Sequence, residues 1–410
     1  MSERCVESDI VVVGAGPAGV VAALALAHVG AGVAAVGPPP PPSARTAETR
    51  TAALLTSSVE LLKTLGVWDA LRADAAPLKA IRIVDASRSL LRAPDIEFRA
   101  SELGLDAFGY NIANTALNEA LHARARAVLP LIEASVTSVA IEPSGAELRL
   151  SDCSALATRL VVGADGRRSI CRQSAGIGMS ERRYDQSAIA TSFSHSLSHD
   201  GISNELHSEH GSVTSVPLID PRASSLIWLG TPIEIGRLMQ LDAEAFGDAL
   251  SKRLGGLLGA ISRIGIRSEF PVAGLSADRL GAKRTALVGE AAHILPPIGA
   301  QGLNLGFRDA AALADCVVDA LSEGRDPGGD DVLEAYMRAR RLDILSRTLG
   351  VDLMSRTLLT SLPPLQAARG IVLHGLNALP PLRRAVMRVG LAPPTELPSL
   401  MRPAPRQART

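Results

Sequence analysis

Three short segments of the chain combine glycines with carboxylates in a way that could hold a phosphate-bearing ligand. They are Gly14-Ala-Gly16-Pro17-Ala18-Gly19, then Gly163-Ala-Asp165-Gly166, then Gly289-Glu290-Ala-Ala-His293. In a Gly-x-Gly-x-x-Gly run the first glycine permits a tight turn. The second lets the backbone approach a pyrophosphate, and the third lets a helix pack close to a strand. Phosphates then sit on a helix N-terminus, whose N–H groups and dipole favour anions. A carboxylate at a strand end, Asp165 or Glu290, can accept hydrogen bonds from sugar hydroxyls. A fourth segment, Pro297-Ile-Gly299-Ala-Gln-Gly302-Leu303-Asn304, again has glycines where a backbone must come close to something. It opens a helix predicted from Leu303 to Ala314, another N-terminus suited to negative charge.

Those turns need strands to end on and helices to open. Ile10 to Val13 is a continuous β-branched run, as in a parallel strand covered on both faces. An Ala/Leu/Val-rich helix runs to about His28, and a second strand, Val33 to Val36, completes a βαβ unit. Leu160 to Gly163 and Ala286 to Gly289 return to the same strand-then-glycine pattern. Residues 38 to 48 read as a Pro-rich loop, followed by a helix carrying Leu54, Leu55, Leu61, Leu62 and Leu65. Stretches such as AIRIVDA, QSAIATSF, SVTSVPLI and SSLIWLG, within 80–108 and 186–235, read as strands of an inserted β-rich domain. From about Leu333 the chain reads as helical, interrupted by Pro363, Pro364, Pro380, Pro381, Pro393 and Pro394. The fold class expected is α/β, a Rossmann-like domain with an inserted β-sheet domain and a helical C-terminal tail.

With 410 residues there is room for two or three domains. Lys+Arg and Asp+Glu balance at 42 each, so net charge gives no reason to expect nucleic acid as a partner. Cys5, Cys153, Cys171 and Cys316 form no C-x-x-C pair, which argues against a disulfide framework or a zinc site and for a reducing compartment. The chain enters its first strand within about ten residues, leaving no room for a signal peptide. The apolar stretch from Val20 to Val36 is interrupted by His28, Gly30 and Gly32, and reads as helix and strand rather than a membrane span. A cytoplasmic protein is expected. His195, His199, His207 and His210 lack coherent ligand spacing, so they read as solvated strand and loop residues and no metal is expected. His293 reads as structural. No G-x-S-x-G nucleophile motif is present.

The order and spacing of these segments, with PPIGAQGLNLGFRDA after the third, resemble the single-component FAD-dependent aromatic hydroxylases. TRTAALLTSSVELLKTLGVWDAL (49–71), YDQSAIA (184–190) and Tyr336-x-x-x-Arg340 are similar to the ubiquinone-biosynthesis hydroxylase branch. The resemblance covers nearly the whole chain. It implies FAD-binding parts at 1–78, 109–180 and 275–330, substrate-domain parts at 79–108 and 181–274, and a helical region at 331–410. It implies FAD held by Gly14, Gly16, Pro17, Ala18, Gly19, Arg50, Asp165, Gly289, Glu290, Pro297, Gly299, Gly302, Leu303 and Asn304, with Arg50 reaching the pyrophosphate or the ring. The reaction implied is hydroxylation of the ring of a polyprenylated phenol by molecular oxygen, through a flavin C4a-hydroperoxide in a site that excludes water. The reductant would be NAD(P)H or another electron donor; with no second Rossmann fingerprint, a nicotinamide would bind only transiently. A ubiquinone-biosynthesis complex or a peripheral place on the inner face of the membrane would follow. No catalytic base is identifiable.

Two positions depart from that pattern. The strand ending at Val36 should lead into Glu or Asp, which grips the adenosine ribose; the chain has Gly37 and then prolines. Losing such a bond is worth about 1.5–3 kcal/mol, roughly tenfold to a hundredfold in affinity, and a carboxylate restored at 37 is expected to tighten binding. The third motif reads Gly-Glu290 where Gly-Asp is usual. The expectation is a working FAD site with an altered adenosine end. Hydroxylation of a small soluble aromatic, an isoprenoid reductase reaction, and a flavin-free binding protein of the same fold stay open. Asp165-Gly166 also reads as a plain turn and Asp309 as a plain helix residue. From Met337 to Thr410 there are twelve arginines and no lysine against Asp343, Asp352 and Glu396, an excess of nine positive charges. These segments read either as helices packed on the FAD domain with solvated arginines, or as basic amphipathic pieces lying on anionic lipid.

Overall fold

The computed structural model describes residues 5–38, 50–86, 94–208, 211–297, 299–358, 374–376, 378–391 and 395–403. The Gly-turn motifs belong to an eight-stranded sheet whose parallel strands run in the order Thr285–Leu287, Ala155–Gly163, Cys5–Val13, Val33–Val36, Leu131–Ile132. Ile10 to Val13 and Val33 to Val36 are buried throughout, as a β-branched run covered on both faces requires. Val13 pairs with Val36 on one side and Gly163 on the other, and Gly163 pairs with Leu287. The four strands therefore end level, and their turns leave from one line at the carboxyl edge, where open parallel sheets bind ligands. The Pro17–His28 helix buries every residue from Gly19 to Leu26 and shares a core with the Gln301–Ser322 helix.

A nine-stranded sheet forms the second layer, with Met179–His195, Ala223–Gly230, Gly211–Pro217, Ile202–Ser208, Ala80–Asp85 and Ile96–Arg99 adjacent in that order. Its residues alternate between faces with the two-residue strand period. Leu206, Val213, Leu226 and Trp228 bury against Ile235, Phe246 and Leu250 of the Pro232–Gln240 and Ala243–Leu254 helices. Ser225 belongs to the opposite face, and its Oγ lies 3.0 Å from Thr51 Oγ1. Asn111 Nδ2 donates to Pro217 O at 2.9 Å. This face therefore looks at the three-stranded sheet of Thr51–Leu55, Gly109–Ala113 and Ala76–Pro77.

Leu54 and Leu55, expected on a helix, end the Thr51–Leu55 strand, and the helix covers Thr56–Thr64. Their spacing to Leu61 and Leu62 mimics a helical face, but pairing with Gly109–Ala113 overrides it. The late helix starts at Gln301 and runs to Ser322, longer than expected at both ends. The predicted Pro-rich loop (apart from Pro38), Pro363, Pro364, Pro393 and Pro394 lie outside the described residues. Two C-terminal helices, Asp330–Leu358 and Pro380–Leu391, are described. Met387 and Leu376 pack on Ile96 and Phe98 of the second sheet, and Arg383 Nε donates to Glu102 at 2.8 Å. Among the described residues no helix is long and apolar enough to cross a membrane.

Candidate active site

Gly14 has φ +122°, and a Cβ there would lie 2.2 Å from Ala164 O. A Cβ on Gly19 would lie 2.0 Å from Gly14 O. Both glycines are demanded by the packing of the turn itself. Gly16 is different, because a Cβ there meets nothing within 4 Å. It is the N-cap of the Pro17–His28 helix and no side chain caps it. Pro17 takes a position where its missing N–H is not needed. The first-turn N–H groups thus open on clear space suited to a pyrophosphate.

The neighbouring strand ends bring their motifs to the same place. Asp165 Oδ2 accepts from Ile170 N (2.7 Å) and Cys171 N (3.2 Å), which caps the short Ile170–Ser174 helix. Its Oδ1 is buried without a hydrogen-bond partner among the described residues. Asp165 is therefore the turn residue of the plainer reading and also carries an acceptor left over for a ligand hydroxyl. Ala18 touches the third motif, since a Cβ on Gly289 would lie 3.0 Å from Ala18 Cβ. Glu290 is exposed on the 3-10 turn that follows Gly289. Arg50 is exposed just before the Thr51–Leu55 strand, and its carbonyl accepts from Asn114 N at 3.1 Å.

The late loop carries backbone strain. Gly299 (φ +64°) and Ala300 (φ +54°) are both left-handed, and for alanine that costs about 1–2 kcal/mol. Such strain persists where the surroundings enforce a shape, commonly at ligand sites. Pro297, Gly299 and Gly302 are exposed, Leu303 is half-buried, and a Cβ on Gly302 meets nothing within 4 Å. The expectation for Asn304 changes, because its side chain is wholly buried and saturated. Oδ1 accepts from Leu55 N (2.9 Å) and Ser58 Oγ (2.7 Å), while Nδ2 donates to Ala53 O (2.8 Å) and Ala300 O (2.6 Å). Asn304 fixes the loop to the Thr51–Leu55 strand and leaves nothing for a cofactor.

Gly37 is buried, and a Cβ there would lie 2.5 Å from Ala15 N and 2.7 Å from Ala15 Cβ. The Gly loop has closed over this position, so a restored carboxylate would meet Ala15 before it met a ribose. The expected gain in affinity is replaced by a clash. His122, overlooked in the sequence, backs the same loop, with Nε2 2.8 Å from Ala15 O.

Asp309 is far from a plain helix residue. Fully buried, it accepts from Gly289 N (3.1 Å), bonds His293 Nε2 (2.6 Å) and pairs with Arg340 Nε (2.7 Å). Arg340 and Arg308 both reach Asp343, at 2.8 and 2.7 Å. Burial alone would raise the Asp309 carboxyl, but His293 and Arg340 outweigh it and hold it well below the usual carboxylate range. Tyr336 adds a bond to Leu287 O at 2.7 Å. Through these groups the Asp330–Leu358 helix grips the third motif from behind, with His293 in the structural part expected of it.

The reading of the remaining histidines is corrected. His195 and His207 are buried, because they stand on sheet faces that are covered. His195 bonds Leu197 O and Ser224 Oγ, and burial lowers its pKa. His199 Nε2 contacts Leu218 O; His210 lies outside the described residues. No group of side chains suited to a metal ion occurs among the described residues. A cavity of about 1040 Å³ opens at the opposite end of the parallel sheet, beside Asp9, Glu142 and Arg159, away from the Gly turns.

Taken together, uncapped helix N-termini, an orphaned acceptor on Asp165 and clear space above Gly16 and Gly302 fit a bound FAD. A family model for the FAD binding domain matches residues 7–346. The ubiquinone hydroxylase UbiL of Rhodospirillum rubrum is 34% identical over 97% of this chain and 93% of its own. The 3-demethoxyubiquinol 3-hydroxylase of Escherichia coli is 30% identical over 94% of this chain and 98% of its own. Among solved structures, p-nitrophenol 4-monooxygenase PnpA of Pseudomonas putida superposes with a TM-score of 0.77 at 20% identity, covering 96% of this chain and all of that one, a likeness of fold. On these matches, the chain belongs to the FAD-dependent hydroxylases, in their ubiquinone-hydroxylase branch.

Proposed function

We propose that this chain hydroxylates the aromatic ring of a polyprenylated phenol in ubiquinone biosynthesis. The observation that carries the reading is that four parallel strands end level, with their turns leaving from one edge of the sheet, while the inner face of the second sheet meets the Thr51–Leu55 strand through Ser225 and Thr51. On that face Thr214, Ile227 and Phe270 are only half-buried, leaving an apolar wall for a ring. Bound FAD, reduced by NAD(P)H or another donor, supplies the activation of molecular oxygen. Around it, Gly14, Gly16, Pro17, Ala18 and Gly19 receive the pyrophosphate, with Arg50 alongside. Asp165 Oδ1 and the Gly289-Glu290 turn accept from sugar and ribityl hydroxyls. Pro297, Gly299, Gly302 and Leu303 lie along the ring edge, and the two sheets exclude water from the reacting carbons. The test is the flavin spectrum of the purified protein, together with mass spectrometry of quinone precursors in a deletion strain. A bound flavin and an accumulated precursor short of ring oxygen are expected. Normal quinone content with a flavin-free protein would overturn the reading.

The substrate's tail gives the C-terminal helices a part in this reading. Leu342, Leu345 and Leu349 are 49–59% exposed on one side of the Asp330–Leu358 helix. Leu379, Leu382, Val386 and Val389 are 43–73% exposed on and beside the Pro380–Leu391 helix. Arg347 Nη1 joins the two helices through Gly390 O at 2.9 Å, and Arg338, Arg341, Arg384 and Arg388 are exposed around them. Apolar stripes rimmed by arginine suit an anionic bilayer, from which a polyprenyl chain could enter without crossing water. Arg383 takes no part, being held by Glu102. Each near-surface charge contributes about 1 kcal/mol, so Arg384→Gln with Arg388→Gln should weaken binding to anionic liposomes by roughly thirtyfold. Equal sedimentation with neutral and anionic liposomes would leave these helices as scaffold, or as a face for another protein of the pathway.

A further inference from the structure

The inner face of the second sheet carries an acid and a histidine that the cofactor site does not use. Glu205 and His207 stand two residues apart on the Ile202–Ser208 strand, so both project from the same face. Register identifies that face. Ser225, which touches Thr51, is followed at the two-residue period by Ile227; Ile227 pairs with Thr214, and Thr214 with Glu205. His207 lies one row further along, paired with Ser212 on one side and with Asp85 on the other. Glu205 is 9% and His207 4% exposed, and their Oε2 and Nε2 atoms are 3.6 Å apart. His207 Nε2 has no hydrogen-bond partner among the described residues. Besides Asp85 this face carries hydroxyl and apolar side chains, with Thr214, Ile227, Ile83 and Leu229 around the pair and Phe270 further along. A carboxylate and an imbalanced imidazole buried in such surroundings are costly unless something polar completes them.

We infer that Glu205, backed by His207, receives the hydroxyl of the phenol substrate and takes its proton. This rests on the function proposed above. The substrate O–H bond breaks and its proton goes onto the Glu205–His207 pair, leaving a phenolate whose ortho and para carbons are richer in electrons for attack. Once one oxygen atom has been transferred, the ring regains aromaticity by losing its C–H proton. That proton leaves with the second oxygen atom as water, at the expense of the reductant, NAD(P)H or another donor. The proton held by the pair then returns to the product oxygen, and the pair is restored. Glu205 is the member nearer the half-buried wall at Thr214 and Ile227. His207 is the deeper one, with Asp85 paired beside it on the neighbouring strand. The charged groups on the elements packed over the Ile81–Ile83 end of this face, Glu102 and Arg383, are bonded to each other. A general base so placed is worth about 10²–10⁴ in rate.

The experiment uses the full-length flavoprotein with 2-geranylphenol as probe. Ultraviolet difference spectra at neutral pH read whether the bound phenol is ionised, and turnover is followed beside it. Wild type is expected to bind the probe as phenolate and to hydroxylate it. Glu205→Gln should bind it as neutral phenol, with kcat down about a hundredfold and KM changed far less, and Glu205→Asp should recover part of the phenolate signal. His207→Asn should give an intermediate loss, with flavin content and melting temperature of every variant near wild type. A phenolate signal and kcat within threefold of wild type in Glu205→Gln would overturn the role of the pair while leaving the function intact. A wild type that neither binds nor hydroxylates the probe would overturn both.

Discussion

Replacing Gly16 with alanine adds one methyl group at a point where nothing in the protein lies within 4 Å. The backbone there is extended, φ −75° and ψ 172°, which alanine adopts without strain. Two small effects on folding oppose one another. Alanine narrows the unfolded ensemble, stabilising by about 0.4–1 kcal/mol, and it is a poorer N-cap than glycine by a similar amount. Stability of the apoprotein should therefore stay within about 0.5 kcal/mol of wild type. The methyl stands between the helix N-terminus and the space a pyrophosphate would occupy. Losing one charge-assisted hydrogen bond there, at about 1.5–3 kcal/mol, corresponds to roughly a tenfold to hundredfold weaker Kd for FAD. Denaturant unfolding of the apoprotein and a flavin-fluorescence titration measure the two quantities separately. A Kd within threefold of wild type would refute the placement of the pyrophosphate; a variant that fails to fold would refute the claim that the space is clear. Gly14→Ala and Gly19→Ala should fail at folding, since their methyl groups would overlap backbone oxygens at 2.2 and 2.0 Å.

Asp309→Asn keeps the shape but leaves Arg340 and His293 without their shared charge, so unfolding free energy should fall by about 3–5 kcal/mol. In wild type the Asp309 and Asp343 carboxyls sit below their ordinary values despite burial; the stability they contribute is complete above about pH 4 and disappears as pH falls through the lower folded values. Melting curves taken from neutrality into acid should steepen below that point in wild type and flatten in the variant. Gly37→Glu should weaken FAD retention and lower the melting temperature, because its Cβ meets Ala15 N at 2.5 Å; tighter binding would mean that the loop yields readily. Asn304→Asp turns two donated bonds, to Ala53 O and Ala300 O, into repulsion and should cost at least about 2 kcal/mol, read by the same unfolding assay.

The Gly turns could be read from sequence because each is local: the glycines, the strand before and the helix after lie within a dozen residues. What stabilises them could not. Asp309 meets Arg340 across 31 residues and Arg308 meets Asp343 across 35, and an arginine on a helix reads as solvated until the partner helix is in place. His207 was hidden for a related reason, since a strand with polar residues on both faces gives no hint of which face is covered. The two outer helices of the second sheet did leave a signal. Thr231-Pro232 before Glu234, and Asp242 ahead of Ala245, are helix starts, and both side chains cap as such signatures imply. Gly37 misled because a missing carboxylate in a sequence looks like an empty place, whereas the fold has filled it with Ala15.

The level row of strand ends has a temporal side. Cys5–Val13 finds its neighbours in residues 155–163 and 33–36, and the sheet gains its next parallel strand only with residues 285–287. The Pro17–His28 helix is then sealed by Gln301–Ser322. A ribosome delivering about 5–20 residues per second needs roughly 15–60 s to expose that last helix. Throughout this interval the eight successive residues Gly19 to Leu26, all buried in the finished fold, have the first two strands and the Asn114–Val128 helix to pack on but lack the helix that completes their cover. Whatever shelters the Pro17–His28 helix during synthesis, a chaperone or the nascent chain's own strands, sets how much protein survives to meet a cofactor, and translation speed becomes a determinant of yield.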